Sequence, residues 1–97
     1  IAPQGTDLGG AGLVWRREDE AAVLAAIDDF VACYSVDRRR IILDGWSAGG
    51  IMSYWLGLRH AKRFAGISIQ AADLASAEIV NGAPLVPAPA TIPISHV

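Results

Sequence analysis

The chain has 97 residues, of which 53% are hydrophobic and 19% charged, and its eight basic and ten acidic residues give a net charge of -2. This balance offers no specific attraction to nucleic acid or to anionic membranes, so we expect neither as a partner. No uninterrupted apolar stretch approaches the ~18 residues that a membrane span requires. Two histidines and one cysteine without ligand spacing predict no metal site, and nothing indicates another cofactor.

The length allows at most one small domain. The sequence begins at Ile1 rather than at a methionine, and it stops inside an apolar run over residues 92–97. We therefore expect an internal part of a longer protein, and we expect the isolated chain to be inactive. The composition leaves the cellular compartment and the oligomeric state open.

The first third of the chain predicts a strand end, a loop and a helix. Residues 1–3 are typical of the end of a strand, and residues 4–12 form a loop with four glycines that lack phosphate-binding spacing. After three acidic residues at 18–20, apolar residues recur every three or four positions, which predicts a helix with one apolar face. Cys33 falls in this helix, where a small buried hydrophobic residue is expected. The face consists of Val23, Ala26, Ile27, Phe30, Val31 and Tyr34.

The middle of the chain predicts a strand, a sharp turn and a second helix. Residues 41–43 form a short apolar run typical of a strand covered on both faces, as in parallel sheets. A glycine-flanked serine follows directly. A second helix then begins, and residues 65–69 are the next strand. The helix is marked by Ile51, Met52, Tyr54, Trp55 and Leu58.

The remaining segment predicts a short helix around residues 73–80, a proline-punctuated loop to residue 91, and a final strand. Strands thus alternate with helices along most of the chain. This order predicts the α/β class, with a mainly parallel sheet and helices on both of its faces.

The serine between strand and helix carries the strongest chemical signal. Gly45, Ser47 and Gly49 form a G-x-S-x-G pattern. A serine at a sharp strand-to-helix turn is held clear of its neighbours, and the residues two before and two after it must be small because strand and helix nearly touch. The N–H of Ala48 would then lie at the start of a helix, where it favours a negatively charged oxygen. Ser47 is therefore the candidate nucleophile and Ala48 the candidate oxyanion donor.

These residues also carry a resemblance to a known superfamily. Residues 36–50, with Arg63 to Gly66 downstream, resemble α/β-hydrolase esterases related to polyhydroxybutyrate depolymerases and to feruloyl or acetylxylan esterases. Residues 1–5 resemble a segment that carboxylesterases and dienelactone hydrolases share. The sequence departs from the pattern at Arg38, where the family has proline, and at Asp44, where a neutral residue is usual.

The resemblance implies that residues 1–97 are one partial α/β-hydrolase domain spanning about strands four to seven. It also implies a serine hydrolase that cleaves a small-molecule or polymeric carboxylic ester through an acyl-enzyme on Ser47. In this fold the acid and the histidine of the triad follow the serine in that order, which would place both beyond Val97.

Three further residues are candidates for the site. Asp73 follows the strand candidate at 65–69 and could be the triad acid, although a helix-start or surface aspartate is the alternative. His96 follows Asp73 in the required order, but it lies in a strand-like run. Trp46 is either a wall of the substrate pocket or an aromatic residue packed under the turn.

Other functions remain open at this point. A serine peptidase or a thioesterase could use the same scaffold. A module without catalytic activity, or a truncated product, could also share the fold, because fold alone does not determine function.

Overall fold

A computed structural model describes residues 1–3, 7–9, 12–14, 18–85 and 91–96. It contains β1 (Asp7–Gly9), β2 (Gly12–Val14), α1 (Asp19–Cys33), β3 (Ile42–Trp46), α2 (Ala48–Arg59), β4 (Gly66–Gln70), α3 (Leu74–Asn81) and β5 (Ile94–His96). Short 3-10 turns lie at Arg38–Arg40 and Ala61–Arg63.

The main sheet is parallel and has the order β3-β4-β5. In its register Trp46 lies opposite Gln70, and Ile69 lies opposite His96. The carboxyl ends of the three strands therefore meet at one edge of the sheet. Together with the flanking helices, this sheet confirms the predicted α/β fold class.

Helix α2 packs directly against β3 and β4 and contributes more residues to the described core than any other element. Its residues from Met52 to Leu58 are all buried, and Trp55 and Leu56 are 0% and 1% exposed. A Cβ added to Gly57 would lie 2.3 Å from Cδ1 of Ile67, so the glycine lets helix and strand approach closely. This packing fixes the position at which α2 begins, which is the residue after Ser47.

The amino-terminal part differs from the sequence prediction. Residues 1–3 lie in no strand, and β1 pairs with β2 as an antiparallel hairpin within and beyond the segment predicted to be loop. The predicted strand end at residues 1–3 and the predicted loop at residues 7–9 and 12 are therefore wrong. The hairpin was missed because three-residue strands are too short to show an alternating apolar pattern. Residues 4–6 and 10–11 of the predicted loop lie outside the described residues.

Helix α1 has its apolar face only half covered. Val23 and Ile27 are buried, as predicted, but Phe30 and Tyr34 are 38% and 63% exposed and stack on each other at 4.5 Å. Cys33 is exposed, so its predicted burial is wrong. Helical periodicity identifies a face, but it does not say how far the underlying core extends.

Strand β3 runs to Trp46 and alternates in burial. Gly45 is buried and Leu43 half-buried, whereas Ile42, Asp44 and Trp46 are exposed. The prediction of a strand covered on both faces is therefore wrong at Ile42, which is 61% exposed.

The carboxyl-terminal predictions are confirmed. A helix occupies 74–81 with Asp73 at its N-cap, and a strand occupies residues 94–96. Gly82 ends α3 with a φ of 66°, in the left-handed region that glycine adopts without strain. Residues 86–90 of the proline-punctuated loop lie outside the described residues.

No helix among the described residues is both long enough and apolar enough to cross a membrane.

Candidate active site

The strand-to-helix turn at Ser47 is sharp and strained. Ser47 has a φ of 53° and a ψ of -116°, a conformation that side-chain-bearing residues rarely adopt. A Cβ added to Gly45 would lie 2.2 Å from the carbonyl oxygen of Gly49, a distance that atoms do not tolerate. The requirement for a small residue two positions before the serine therefore follows directly from the backbone path.

Several contacts hold this turn in place. The N–H of Ser47 donates to the carbonyl oxygen of Gln70 at 2.8 Å, which joins the turn to the end of β4. The hydroxyl of Ser53, a buried residue one helical turn further on, donates to the carbonyl oxygen of Gly49 at 2.8 Å. A Cβ added to Gly50 would lie 2.8 Å from the Cβ of Ala72. Gly50 therefore lets the first turn of α2 pack closely against the segment that follows β4.

Neither Ser53 nor Gln70 was predicted from the sequence to support the turn. For Ser53 a signal existed, since serines in helices often bond the carbonyl four residues earlier. The bond from Ser47 to Gln70 could be predicted only from the register of the parallel strands, and predicting that register requires the strand boundaries to be known to one residue. Both residues support the turn from outside the five-residue motif.

The hydroxyl of Ser47 is free of helix capping. Ser47 occupies the N-cap position of α2, where serine commonly accepts a bond from a backbone N–H, yet its side chain makes no such bond. The residue is partly exposed. The hydroxyl is thus available at the carboxyl edge of the sheet for an approaching substrate.

Ala48 is the first residue of α2, so its N–H has no acceptor within the helix. The helix dipole adds positive potential at this end. Among the described residues, no turn, loop or cap hydrogen bond occupies this N–H. The arrangement is chemically suited to bind an oxygen that gains negative charge beside Ser47.

Trp46 is 70% exposed, so the tryptophan does not pack as a core residue under the turn. It borders a cavity of about 580 Å³ together with Gly45 and Gly49. The walls of this cavity are mostly apolar and include Ile1, Val23, Ile27, Leu43, Met52 and Leu56. A role for Trp46 in contacting substrate stays a prediction.

Asp73 acts as the N-cap of α3. Its carboxylate accepts bonds from the N–H of Ser76 at 2.7 Å and from the hydroxyl of Ser76 at 2.9 Å. These bonds, aided by the charge of His96, hold the pKa of Asp73 below its ordinary value of 3.8 against the opposing effect of burial. The structure therefore assigns Asp73 a local capping contact, which was the alternative considered from the sequence.

His96 ends β5 and directs its Nε2 to the carbonyl oxygen of Ala72. Its ring lies 6.3 Å from the ring of Tyr54, whose pKa is raised by burial and by the negative charge of Asp73. Asp73 and His96 thus lie at the same sheet edge as Ser47. No hydrogen bond among the described residues joins either of them to Ser47, and their membership of a triad stays a prediction.

Among the described residues, no group of three or more histidine, cysteine, aspartate or glutamate side chains is placed to hold a metal ion.

A set of three side chains bound to one carboxylate, at the far end of α2, was not predicted. Glu20, in the first turn of α1, accepts from Nε1 of Trp55 at 2.8 Å, Nε of Arg59 at 3.2 Å and Nε2 of His60 at 2.5 Å. These partners are 35 to 40 positions away in the sequence. The sequence identified Glu20 only as one of three acids at a helix start.

Comparison with known protein families supplies an independent finding. The sequence model of the prolyl oligopeptidase family, Peptidase_S9, matches residues 14–75. This range contains α1, β3, the Ser47 turn, α2 and β4. Comparison with curated proteins and with solved structures gives no significant match.

Proposed function

The chain belongs to the prolyl oligopeptidase family, serine hydrolases of the α/β fold, and we propose that it forms an acyl-enzyme on Ser47. The resemblance of residues 36–50 to α/β-hydrolase esterases favours carboxylic esters as its substrates. The observation that carries the proposal is the backbone of Ser47, which is strained at φ 53° while its hydroxyl is left out of helix capping. Strain of this kind persists where the surrounding structure fixes it, and it concentrates at functional sites.

The proposed reaction has two steps. The Ser47 hydroxyl attacks the carbonyl carbon of the ester, its proton passes to a general base, and the carbonyl oxygen becomes an anion beside the N–H of Ala48. Collapse of this intermediate expels the alcohol and leaves an acyl group on Ser47, which water then removes by the same path. A histidine and an acid would activate the serine. His96 and Asp73 are the candidates for these roles within the chain, although no hydrogen bond among the described residues joins either of them to Ser47.

Trp46 is proposed to contact the acyl or alcohol part of the substrate. Its exposure beside Ser47 supports this role, since a large aromatic surface that is not in the core is available to an apolar ligand.

A peptide substrate is the second candidate, and the family match favours it. Both substrates pass through an acyl-enzyme, and they differ mainly in the leaving group. Hydrolysis of an ester and of an amide with the same acyl group therefore distinguishes them. The ester proposal expects turnover of the 4-nitrophenyl ester without detectable turnover of the matching 4-nitroanilide.

Ser47→Ala is the control for this comparison, because it removes the nucleophile and leaves the turn otherwise unchanged. We expect the intact protein to lose hydrolysis by a factor of roughly 10⁶ with this change, as triad serines generally do. Efficient cleavage of the anilide by the unsubstituted protein would replace the ester assignment with a peptidase. Equal ester turnover in both proteins would contradict the role of Ser47.

A further inference from the structure

Glu20 connects the first turn of α1 to the last turn of α2. Its carboxylate is 15% exposed and accepts three hydrogen bonds, from Trp55, Arg59 and His60. Two of these donors follow one another at the end of α2, and the third lies one turn earlier. A single carboxylate therefore contacts two successive turns of the helix that begins at Ser47.

The contact with Trp55 reaches the core. Trp55 is 0% exposed, and its indole N–H donates to Oε2 of Glu20 at 2.8 Å. A buried indole N–H that loses its acceptor keeps the full cost of its desolvation. The Arg59 guanidinium lies 4.6 Å above the Trp55 ring and also bonds Oε1 of Glu20. Rotation of α2 about its axis would break the bonds of Trp55 and Arg59 to Glu20 together, while the contact between Arg59 and Trp55 would persist because both lie on α2.

The opposite end of α2 is attached to the sheet. There the N–H of Ser47 bonds Gln70, and Gly50 packs on Ala72. The helix has 12 residues, a rise of ~18 Å. Attachment at both ends determines its axis and its rotation, and therefore the direction in which the Ser47 hydroxyl leaves the turn.

We propose that Glu20 is a positioning residue for Ser47, acting through Trp55 and Arg59 to hold the helix that carries the nucleophile. This inference rests on the proposed role of Ser47. Glu20 touches no reacting atom; it acts by fixing a rigid element, whose small displacements strongly reduce reaction rates.

The charge of Glu20 supports this function. Burial raises the pKa of Glu20, but the hydrogen bonds from His60, Trp55 and Arg59 together outweigh it and hold the pKa below its ordinary value of 4.5. Among the described residues, the charged and titratable groups that face the carboxylate are Arg59 at the end of α2 and His60 directly after it, and its neighbour on α1 is Asp19. A lowered pKa means that the folded state favours the carboxylate, so the added stability is present above pH 4.5 and is lost as the pH falls through the folded-state pKa.

Glu20→Gln in the intact protein tests the inference, with Asp29→Asn as the matched control. Asp29 makes the same carboxylate-to-amide change on α1 at an exposed position. The measurement is the rate of labelling by a fluorophosphonate probe, at a temperature where circular dichroism shows all variants fully folded. We expect Glu20→Gln to lower the maximal labelling rate by about tenfold, less than the roughly 100-fold cost of a 1 Å displacement, with little change in the half-saturating probe concentration.

If Glu20 had a purely structural role, Glu20→Gln would lower the melting temperature but leave the maximal labelling rate of the folded protein unchanged. Equal maximal rates for Glu20→Gln and Asp29→Asn would therefore overturn this inference and leave the proposed function of Ser47 intact. Complete absence of labelling in the unsubstituted protein would overturn the proposed function and the inference with it. Trp55→Phe removes the same hydrogen bond from the other partner. We expect it to lower the maximal rate in the same direction, and an unchanged rate in this variant would also contradict the inference.

Discussion

Ser47 has a backbone conformation that costs a non-glycine residue about 1–3 kcal/mol. Glycine adopts the same φ of 53° without the clash of a Cβ. We therefore expect Ser47→Gly to raise the free energy of unfolding by about 1 kcal/mol, after allowance for the greater freedom of glycine in the unfolded chain, while hydrolysis is abolished. Denaturant unfolding and ester turnover measure the two effects.

Ala71 is the matched control because it also has a positive φ, of 56°, at the end of β4. Ala71→Gly relieves the same kind of strain without removing a nucleophile. It should stabilise the protein to a similar extent and leave ester turnover intact. Loss of stability in Ser47→Gly would mean that the turn at Ser47 is not strained in the way described.

Gly45 makes the turn possible by lacking a side chain. In Gly45→Ala the new Cβ meets the backbone oxygen of Gly49 and the hydroxyl of Ser53, so the strand and helix must separate. We expect a loss of about 1–3 kcal/mol in the free energy of unfolding, typical of overpacking, and a fall in labelling of roughly 100-fold through displacement of Ser47. Chemical denaturation and fluorophosphonate labelling report these changes.

Gly82→Ala controls for backbone strain without a clash. Gly82 has a φ of 66°, and an added Cβ there would meet nothing within 4 Å. It should lower stability by about 1 kcal/mol and leave the labelling rate unchanged. Similar losses of labelling in both variants would show that general destabilisation, rather than the turn, accounts for the effect of Gly45→Ala.

At the scale of the element, Asp73 could serve either as the N-cap of α3 or as the acid of a catalytic triad. The observed role is that of an N-cap, with bonds from Ser76. Asp73→Asn keeps an acceptor for the cap but removes the charge that a triad acid requires. If Asp73 only caps α3, ester turnover should change by less than about tenfold, whereas replacement of a triad aspartate by asparagine costs about 10⁴-fold.

A loss of the larger size in Asp73→Asn, with the melting temperature preserved, would place Asp73 in the catalytic machinery. Ser76→Ala serves as the control because it removes the side-chain partner of the cap and no acid. It should leave turnover unchanged.

The elements that the sequence predicts well are those specified by neighbouring residues. The turn at Ser47 is predicted by an apolar strand, two glycines and an amphipathic helix, which follow one another directly in the sequence. The cap at Asp73 and the end of α3 near Gly82 are likewise local. The β1–β2 hairpin was missed because three-residue strands carry too little alternation to distinguish them from a glycine-rich loop.

Contacts between distant parts of the chain were not predictable in this way. Phe30 and Tyr34 fit a buried helical face by spacing, and Cys33 was expected to be buried within the same helix, yet all three are exposed, because burial depends on what lies opposite the helix. Glu20 resembled any acid at a helix start. Its bonds to Trp55 and His60 depend on how α1 crosses α2, which a single sequence does not specify.

At the scale of the whole molecule, stability depends on the contact of α2 with the sheet. Ile69 in β4 is 0% exposed and belongs to the core, whereas Ile79 on α3 is 78% exposed. Ile69→Ala should lower the free energy of unfolding by about 2–5 kcal/mol, and Ile79→Ala should change it by less than about 0.5 kcal/mol. Similar effects at both positions, measured by denaturant unfolding, would contradict the described core.

Glu20 contributes to the pH dependence of the free energy of unfolding. Its carboxylate stabilises the folded state above its ordinary pKa of 4.5 and loses this effect as the pH falls. The difference in unfolding free energy between the unsubstituted protein and Glu20→Gln should therefore be constant above pH 4.5 and shrink below it. A difference that stays constant through the acidic range would mean that Glu20 is not held as a carboxylate in the fold.

The central claim is that Ser47 is the nucleophile of a serine hydrolase. The most direct test treats the folded, intact protein with a fluorophosphonate and locates the adduct by mass spectrometry of its peptides. We expect one adduct, on Ser47, and none in Ser47→Ala. A folded protein that hydrolyses esters while Ser47 stays unmodified, or an adduct on another serine that persists in Ser47→Ala, would contradict it.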